Sequence, residues 1–376
     1  MISIGALLYF QTKHKWHHVD MLRKERIMMP EINESDYIGM KDALKTLFLP
    51  VRDESILIEG KNILFLNAIY NPLLESGDWD CRQMFKPYAD ALESHGIPSQ
   101  QNYDCSEETY DLAFILFPKN MVEGLSLIAT ALLALKKNGT LVCAAENKAG
   151  GNRLKKLLQT FGFEDLNTES KNKCRVVWGK ATDCNLKEIS KAIQDGSPQK
   201  ILEGKFISQA GIYGWNKIDL GSQLLCEDLP DTLKGYGADF GCGYGYLSTY
   251  ALEHYPKIKH IECHDADHRA VICCAENLKQ YGDKTSCHWT DLSSAFKPRR
   301  LLDFIIMNPP FHEGKKTDNA LGKAFIKNAS KALRRKGVLW MVANAHLPYE
   351  ETLNAHFFRV EKIAEKQGFK IYRAEK

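Results

Sequence analysis

Residues 237–248 read GADFGCGYGYLS. A short apolar run meets three alternating glycines, then an amphipathic segment opens. This is the grammar of a strand that turns through a glycine loop into a helix. Glycine lets the backbone approach a ligand closely, and the helix N-terminus offers unpaired N–H groups. The spacing is G-x-G-x-G with Asp239 two residues before Gly241. It therefore differs from the G-x-G-x-x-G of a dinucleotide fold.

Working outward, IKHIECHDAD (258–267), LLDFIIMN (301–308) and GVLWMVANA (337–345) read as further strands, with helical patterns between them. Strand–helix alternation predicts a parallel sheet covered on both faces. The same alternation occurs earlier, in ILFLNAIY (63–70), YDLAFILF (110–117) and GTLVCAAE (139–146). VEGLSLIATALLALKKNG (122–139) has helical spacing, with Gly139 as its expected C-cap. A chain of 376 residues exceeds the usual size of one core, so two α/β domains are expected. The polar stretch SKAIQDGSPQK (190–200) marks the boundary. Residues 1–50 are expected to be an N-terminal tail, 51–195 the first domain and 196–376 the second.

The halves resemble each other. YDLAFILFPKN (110–120) lies over LDFIIMNPPFH (302–312), aspartate on aspartate, and ALKKNGTLVCAAEN (134–147) over ALRRKGVLWMVANA (332–345). Two matches in the same order favour internal duplication. Only the second half has the glycine loop; the corresponding strand of the first half, NILFLNAIYNPL, contains no glycine. The first half is therefore expected to keep the fold without the chemistry.

Composition excludes little. Hydrophobic residues make up 44% and charged residues 26%, ordinary for a soluble protein. The formal charge of +3 permits a nucleic-acid partner without arguing for one. The eleven cysteines include no Cys-x-x-Cys pair and several fall in apolar runs, which suits reduced thiols in a cytoplasmic protein. His260, Cys263, His264, His268 and Cys273 match no closed four-ligand spacing, so no metal site is expected. The opening MISIGALLYF lacks a basic lead and is too short to span a bilayer, and Met28 or Met29 is an alternative start.

Asp265 ends the strand after the glycine loop, where a carboxylate can accept both ribose hydroxyls. Asp291, after another short strand, is placed to meet an adenine amine. Each acid alone reads as a cap or turn residue; three in order on successive strand ends, one before a G-x-G-x-G loop and two after it, do not. This constellation resembles the class I S-adenosylmethionine-dependent methyltransferases. Together with the duplication, it implies two tandem Rossmann-like class I methyltransferase domains, the N-terminal one degenerate. It also implies a cofactor site at Asp239, Gly241, Cys242, Gly243, Gly245, Asp265, Ala266, Asp291, Leu292 and Asn308.

The apolar run LLDFIIM stops at Asn308-Pro309-Pro310-Phe311. Neither proline can donate to a ladder, so the strand must end there. Asn-Pro-Pro-Phe is similar to the signature of methyltransferases acting on planar nitrogen. The side-chain carbonyl of Asn308 and the backbone carbonyl of Pro309 can accept the two N–H bonds of an exocyclic amine. Pro309 and Pro310 hold them rigidly, and Phe311 offers a ring on which a base stacks, worth about 1–3 kcal/mol. No catalytic role is assigned to His312.

The resemblance widens through IYGWNKIDLGSQLL (212–225), NPPFHEG (308–314), VANAHLPY (342–349) and FKIYRA (369–374), and through FPKN (117–120) and ENKAGGNRLKK (146–156) in the first half. These look like the RsmC-type 16S rRNA (guanine-N2)-methyltransferases, with RlmG-type 23S rRNA enzymes as relatives. That resemblance implies S-adenosylmethionine as cofactor, rRNA within the 30S subunit as partner, a monomer without metal or membrane, and a cytoplasmic location. It also implies that the first domain helps bind RNA, with Lys119, Lys148, Arg153, Lys155 and Lys156 as candidate phosphate contacts; a solvated face is the alternative for each. Three readings compete. One is methylation of a 23S guanine or another planar nitrogen (adenine N6, protein glutamine). Another is a non-catalytic RNA-binding assembly factor, and the third a nicotinamide dehydrogenase, which the glycine spacing disfavours.

Overall fold

The computed structural model describes residues 34–105, 107–310 and 318–376. Their strands form two seven-stranded sheets and a two-stranded ribbon between them in sequence. The first unit runs α1 (Glu34–Leu47), α2 (Leu49–Arg52), β1 (Asn62–Leu66), β2 (Asp78–Arg82), α3 (Lys86–Ser94), β3 (Ser99–Gln100) and β4 (Tyr110–Leu116). It continues with α4 (Met121–Ala134), β5 (Leu135–Glu146), α5 (Leu154–Thr160), β6 (Asn167–Lys171), β7 (Cys174–Lys180) and α6 (Leu186–Gly196). The ribbon is β8 (Gln199–Ile201) and β9 (Phe206–Ser208).

The second unit contains α7 (Leu220–Asp228), β10 (Gly235–Phe240), α8 (Tyr246–His254), β11 (Ile258–Asp265), α9 (His268–Leu278) and β12 (Thr285–Trp289). After these come β13 (Leu302–Met307), α10 (Asp318–Ala332), β14 (Leu333–Asn344), α11 (Glu350–His356), β15 (Arg359–Lys366) and β16 (Phe369–Glu375). The sheet orders are β3-β2-β1-β4-β5-β7-β6 and β12-β11-β10-β13-β14-β16-β15, one pattern used twice. In each, the two last strands run antiparallel at one edge of an otherwise parallel sheet.

Continuous apolar strands fit because both faces are covered. In the first unit Leu44, Leu47 and Phe48 join Phe65, Trp79 and Phe114 on one face, while Leu127, Leu132, Leu158 and Ile189 pack on the other. In the second, Leu225, Leu247, Cys274 and Leu278 cover one face, and Phe325, Ile326 and Leu353 the opposite one.

Two expectations require correction. The tail assigned to residues 1–50 ends too late, because Leu47 and Phe48 are fully buried and α1 belongs to the first core. Burying two such side chains contributes roughly 1.5–3 kcal/mol each, which a loose tail would forgo. The part of that tail before residue 34 lies outside the described residues. Gly139 is not a helix cap: α4 stops at Ala134, and Gly139 sits within β5. A Cβ there would stand 2.9 Å from the Lys136 carbonyl and 3.3 Å from that of Asp111, so the glycine serves close strand approach.

The second unit repeats this device. A Cβ on Gly337 would meet the carbonyls of Arg334 at 2.8 Å and Leu302 at 2.9 Å. Asp111 accepts from the Asn62 amide at 3.0 Å and binds Lys136; Asp303 accepts from the Tyr236 amide at 2.7 Å and binds Arg334. Equivalent residues thus make equivalent bonds, which supports a common origin for the halves.

The units meet along a short strip. The Lys86 amide donates to the Ala266 carbonyl and the His268 amide to that of Met84, both at 2.8 Å. Trp289 Nε1 donates to the Met84 and Ala266 carbonyls. Beside the strip, Arg269 Nη1 donates to Glu123 at 2.6 Å while its other nitrogens hold Asp267. Among the described residues no helix is long and apolar enough to cross a membrane.

Candidate active site

The glycine loop spans Gly241 to Gly245 between β10 and α8. All three glycines have positive φ, +79°, +53° and +93°, where a side chain is strained. The Gly241 and Cys242 amides both donate to the His264 carbonyl, at 2.8 and 3.0 Å. The Gly243 amide donates to Asp265 Oδ2 at 2.8 Å, and Asp265 Oδ1 accepts from the Asp267 amide at 2.9 Å. One carboxylate therefore fixes the loop to the end of β11. Space beside Gly243 is open, with no atom within 4 Å of a would-be Cβ. Burial pushes the Asp265 carboxyl up to about 6, although the backbone N–H bonds oppose that rise.

Asp239 lies near the end of β10. It is fully buried beneath the loop, with Oδ2 accepting from Ser248 Oγ at 2.7 Å and Oδ1 unpartnered among the described residues. Desolvation raises its carboxyl to about 7. It supports the first turn of α8 from below.

Burial also limits Cys242 and Leu292, whose side chains lie in the core, so only their backbone is available to a ligand. The carbonyls of Ala266 and Leu292 are already occupied, the former by Lys86 and Trp289 and the latter by Asn328. Asp291 Oδ1 accepts from both the Ser293 amide and its hydroxyl, at 2.8 and 2.5 Å.

Asn308 follows β13 directly. Since Phe240 pairs with Met307, Asn308 and the glycine loop stand side by side at the carboxyl ends of adjacent strands. That edge is where ligands bind in open α/β sheets. Asn308 Nδ2 donates to Asp219 Oδ2 at 2.6 Å and meets Ser222 Oγ at 2.9 Å. Asp219 itself caps α7, accepting from the Ser222 amide at 2.9 Å. These contacts fix the amide's orientation. They leave Asn308 Oδ1 buried and without a hydrogen-bond partner among the described residues. An unmade bond on a buried acceptor costs about 1–3 kcal/mol, so the atom is set to receive a donor from outside.

Asp219 and Ser222 were missed as site residues, although both lie within the segment 212–225 that carried part of the resemblance. Pro309 is buried and Pro310 half-buried; Phe311 and His312 lie outside the described residues.

Among the described residues, the first unit has neither the glycine loop nor a counterpart of Asn308. Its register places Asn67 after Leu66 where Gly241 follows Phe240, and Leu116 after Ile115 where Asn308 follows Met307. Tyr103 donates to Asn67 Oδ1, and Asn67 Nδ2 donates to the Leu116 carbonyl at 3.3 Å. Phe117 is buried and Asn120 caps α4, accepting from the Glu123 amide. Lys119, Lys148, Arg153, Lys155 and Lys156 are all exposed after β4 and β5 or on α5.

Comparison with known proteins follows the same division. The family "Methyltransferase small domain" matches residues 203–373, and "Methyltransferase small domain N-terminal" matches residues 52–192. Ribosomal RNA small subunit methyltransferase C of Shewanella sediminis is 30% identical over 338 residues, covering 85% of this chain and 95% of that protein. The protein of the same name from Shewanella halifaxensis is 29% identical over 335 residues, with 86% and 94% covered. Among solved structures, the Thermus thermophilus 16S rRNA N2 G1207 methyltransferase (RsmC), in complex with AdoMet and guanosine, shares the fold at a TM-score of 0.74. Its identity is 21%, with 90% of this chain and 93% of that one covered. Two α/β units in tandem, a glycine loop in the second alone, and a relative matched along nearly its whole length place this chain in the ribosomal RNA small subunit methyltransferase C family.

Proposed function

We propose that this protein transfers the methyl group of S-adenosylmethionine to the exocyclic N2 of a guanine in 16S rRNA. The observation that carries the reading is the orphaned Oδ1 of Asn308, a fixed acceptor beside an open glycine loop. The names of the curated relatives supply the nucleic acid.

S-adenosylmethionine supplies an electrophilic methyl group on a sulfonium. The loop at Gly241–Gly245 and the carboxylate of Asp265 are proposed to hold it, with Asp291 at the adenine end. An exocyclic amine is a poor nucleophile because its lone pair is delocalised into the ring. Asn308 Oδ1 accepting one N–H and the Pro309 carbonyl the other would favour a pyramidal nitrogen. Asp219 and Ser222 prevent the amide from rotating, so little reorganisation accompanies the reaction. The amine loses its proton as or after the methyl arrives, so no strong base is needed. A guanine stacked in folded RNA must flip out to reach this acceptor, and Phe311 is the proposed surface for the flipped base. The exposed lysines and Arg153 of the first unit are proposed phosphate contacts, giving positioning without base readout. The further expectations are a 30S-bound substrate, a monomeric enzyme, a cytoplasmic location and a reaction that needs no metal.

The test is incubation with methyl-labelled cofactor and 30S particles, 50S particles or naked 16S rRNA, followed by nucleoside mapping. N2-methylguanosine at one position of 16S rRNA is expected. Label confined to adenine, to 23S rRNA or to protein would overturn the assignment, as would no label with any substrate.

A further inference from the structure

Behind the glycine loop, on the face of the second sheet covered by α9, lies a group of thiols that the proposed reaction does not use. Cys263 comes from β11, Cys274 from α9 and Cys287 from β12. Cys263 and Cys287 are direct partners across parallel strands, so their side chains leave the sheet on the same side. All three sulfurs lie within 4.8 Å of one another, with Cys274 Sγ and Cys287 Sγ 3.7 Å apart. A tetrahedral ion with bonds of about 2.3 Å to sulfur holds its thiolates about 3.8 Å apart, so this spacing already suits a metal. Cys242, on the glycine loop, shares the apolar surroundings of Cys274, and its Sγ donates to the Gly243 carbonyl at 3.7 Å. Cys273, the sequence neighbour of Cys274, faces away and packs with Ile201, Phe206 and Tyr244.

We propose that Cys263, Cys274 and Cys287 form a thiolate site for a thiophilic d10 cation of the zinc type, with the fourth position taken by solvent. An all-sulfur set of protein donors in an apolar pocket selects soft and borderline metals over magnesium or calcium. Binding replaces S–H bonds with S–metal bonds and releases those protons to solvent, and no electron is transferred. Cys263 and Cys274 are fully buried while Cys287 is only partly so, which leaves a route in along the edge strand. The ion would join three elements: β11, α9 and β12. A Cβ on Gly245 would stand 2.9 Å from Cys274 Sγ, so the loop rests directly on the site. The ion is thus a structural clamp under the cofactor loop. Such a site departs from the absence of metal expected of the sequence, and it stands independently of the reaction proposed above.

The test uses the full-length protein, purified under reductant and titrated with Co2+ as a spectroscopic probe, then with Zn2+ as competitor. One Co2+ per molecule is expected, with thiolate charge-transfer absorption and the intense visible bands of a tetrahedral site, both abolished by Zn2+. Cys274→Ser and Cys287→Ala should each weaken binding by at least about tenfold, the effect of losing one ligand-shell group. Cys184→Ser, in the first unit, should leave binding unchanged. Cys287→Ala removes only a partly exposed thiol, and its melting temperature without metal reports whether it folds. Zinc should raise the melting temperature of the wild type and not that of Cys287→Ala. Absence of thiolate–cobalt bands in the folded, reduced wild type would overturn the proposal. Equal binding by wild type, Cys274→Ser and Cys287→Ala would do the same. So would a Cys274–Cys287 disulfide in protein prepared without reductant, joined with no metal uptake once it is reduced.

Discussion

At the residue scale, the site depends on two carboxylates held in unlike surroundings. Asp265 is tied to the loop through the Gly243 amide, and burial raises its carboxyl to about 6. If it accepts ribose hydroxyls as a carboxylate, cofactor affinity is constant above about pH 6. Below that, affinity falls as the free protein takes up a proton, by up to about tenfold per pH unit. Calorimetric titration from pH 5 to 8 measures this, and Asp265→Asn should flatten the profile and weaken binding. Asp239 behaves differently because its raised carboxyl, at about 7, is sealed below the loop. Its folded value lies above its unfolded one, so its favourable contribution is complete at low pH and is lost as pH rises toward 7. Asp239→Asn should therefore gain stability relative to wild type as pH rises from 4 to 7, read by denaturant unfolding. A constant difference across that range would contradict the sealed position. Asp239 was recognisable in the sequence as an acid before the glycines, yet its depth was not, because burial is set by how β10 and α8 close over it. Asp219 and Ser222 were out of reach for a different reason. They lie 89 and 86 residues before Asn308, and only the fold brings them beneath its amide.

At the element scale, the strand–loop–helix unit was legible because each part is local: an apolar run, glycines, then amphipathic spacing. The proline stop after β13 was legible for the same reason. The end of α4 was not. Its glycine has the look of a cap, and only the folded strand shows why a side chain is excluded, through the Lys136 carbonyl of β5 itself and the Asp111 carbonyl beside it. Gly245 is the most constrained position of the loop, with φ of +93° and Cys274 Sγ 2.9 Å from a would-be Cβ. Gly245→Ala should cost about 1–3 kcal/mol through backbone strain alone. It should also weaken cofactor binding more than binding of RNA. Gly243→Ala meets no neighbour, so it carries only the strain of its own φ of +53°, and any larger loss should appear in cofactor affinity. Unfolding curves and cofactor titrations on the two variants separate these effects.

At the scale of the whole molecule, the duplication visible in two sequence matches appears as one sheet order used twice. It appears again in the paired roles of Asp111 and Asp303. The interface between the units was not legible, since Arg269 and Glu123 are separated by 146 residues. Burial raises the Glu123 carboxyl, against the pull of Arg269, and the pair is almost wholly enclosed. Glu123→Ala leaves a buried guanidinium with Asp267 alone and should destabilise the full-length protein by about 3 kcal/mol, measured by denaturant unfolding. The strip at Met84–Lys86 adjoins Ala266, next to Asp265, so the same variant should also lower cofactor affinity. The division of labour further predicts one cofactor per molecule, because Asn67 and Leu116 stand where the second unit has Gly241 and Asn308. The most direct measurement compares wild type with Asn308→Ala in cofactor titration and in single-turnover methyl transfer to 16S rRNA. If Asn308 Oδ1 holds the amine, one cofactor binds per molecule with near-unchanged affinity. Transfer is then slowed by at least about a hundredfold, as when a preorganised polar partner is removed. Transfer by Asn308→Ala at the wild-type rate would contradict that role.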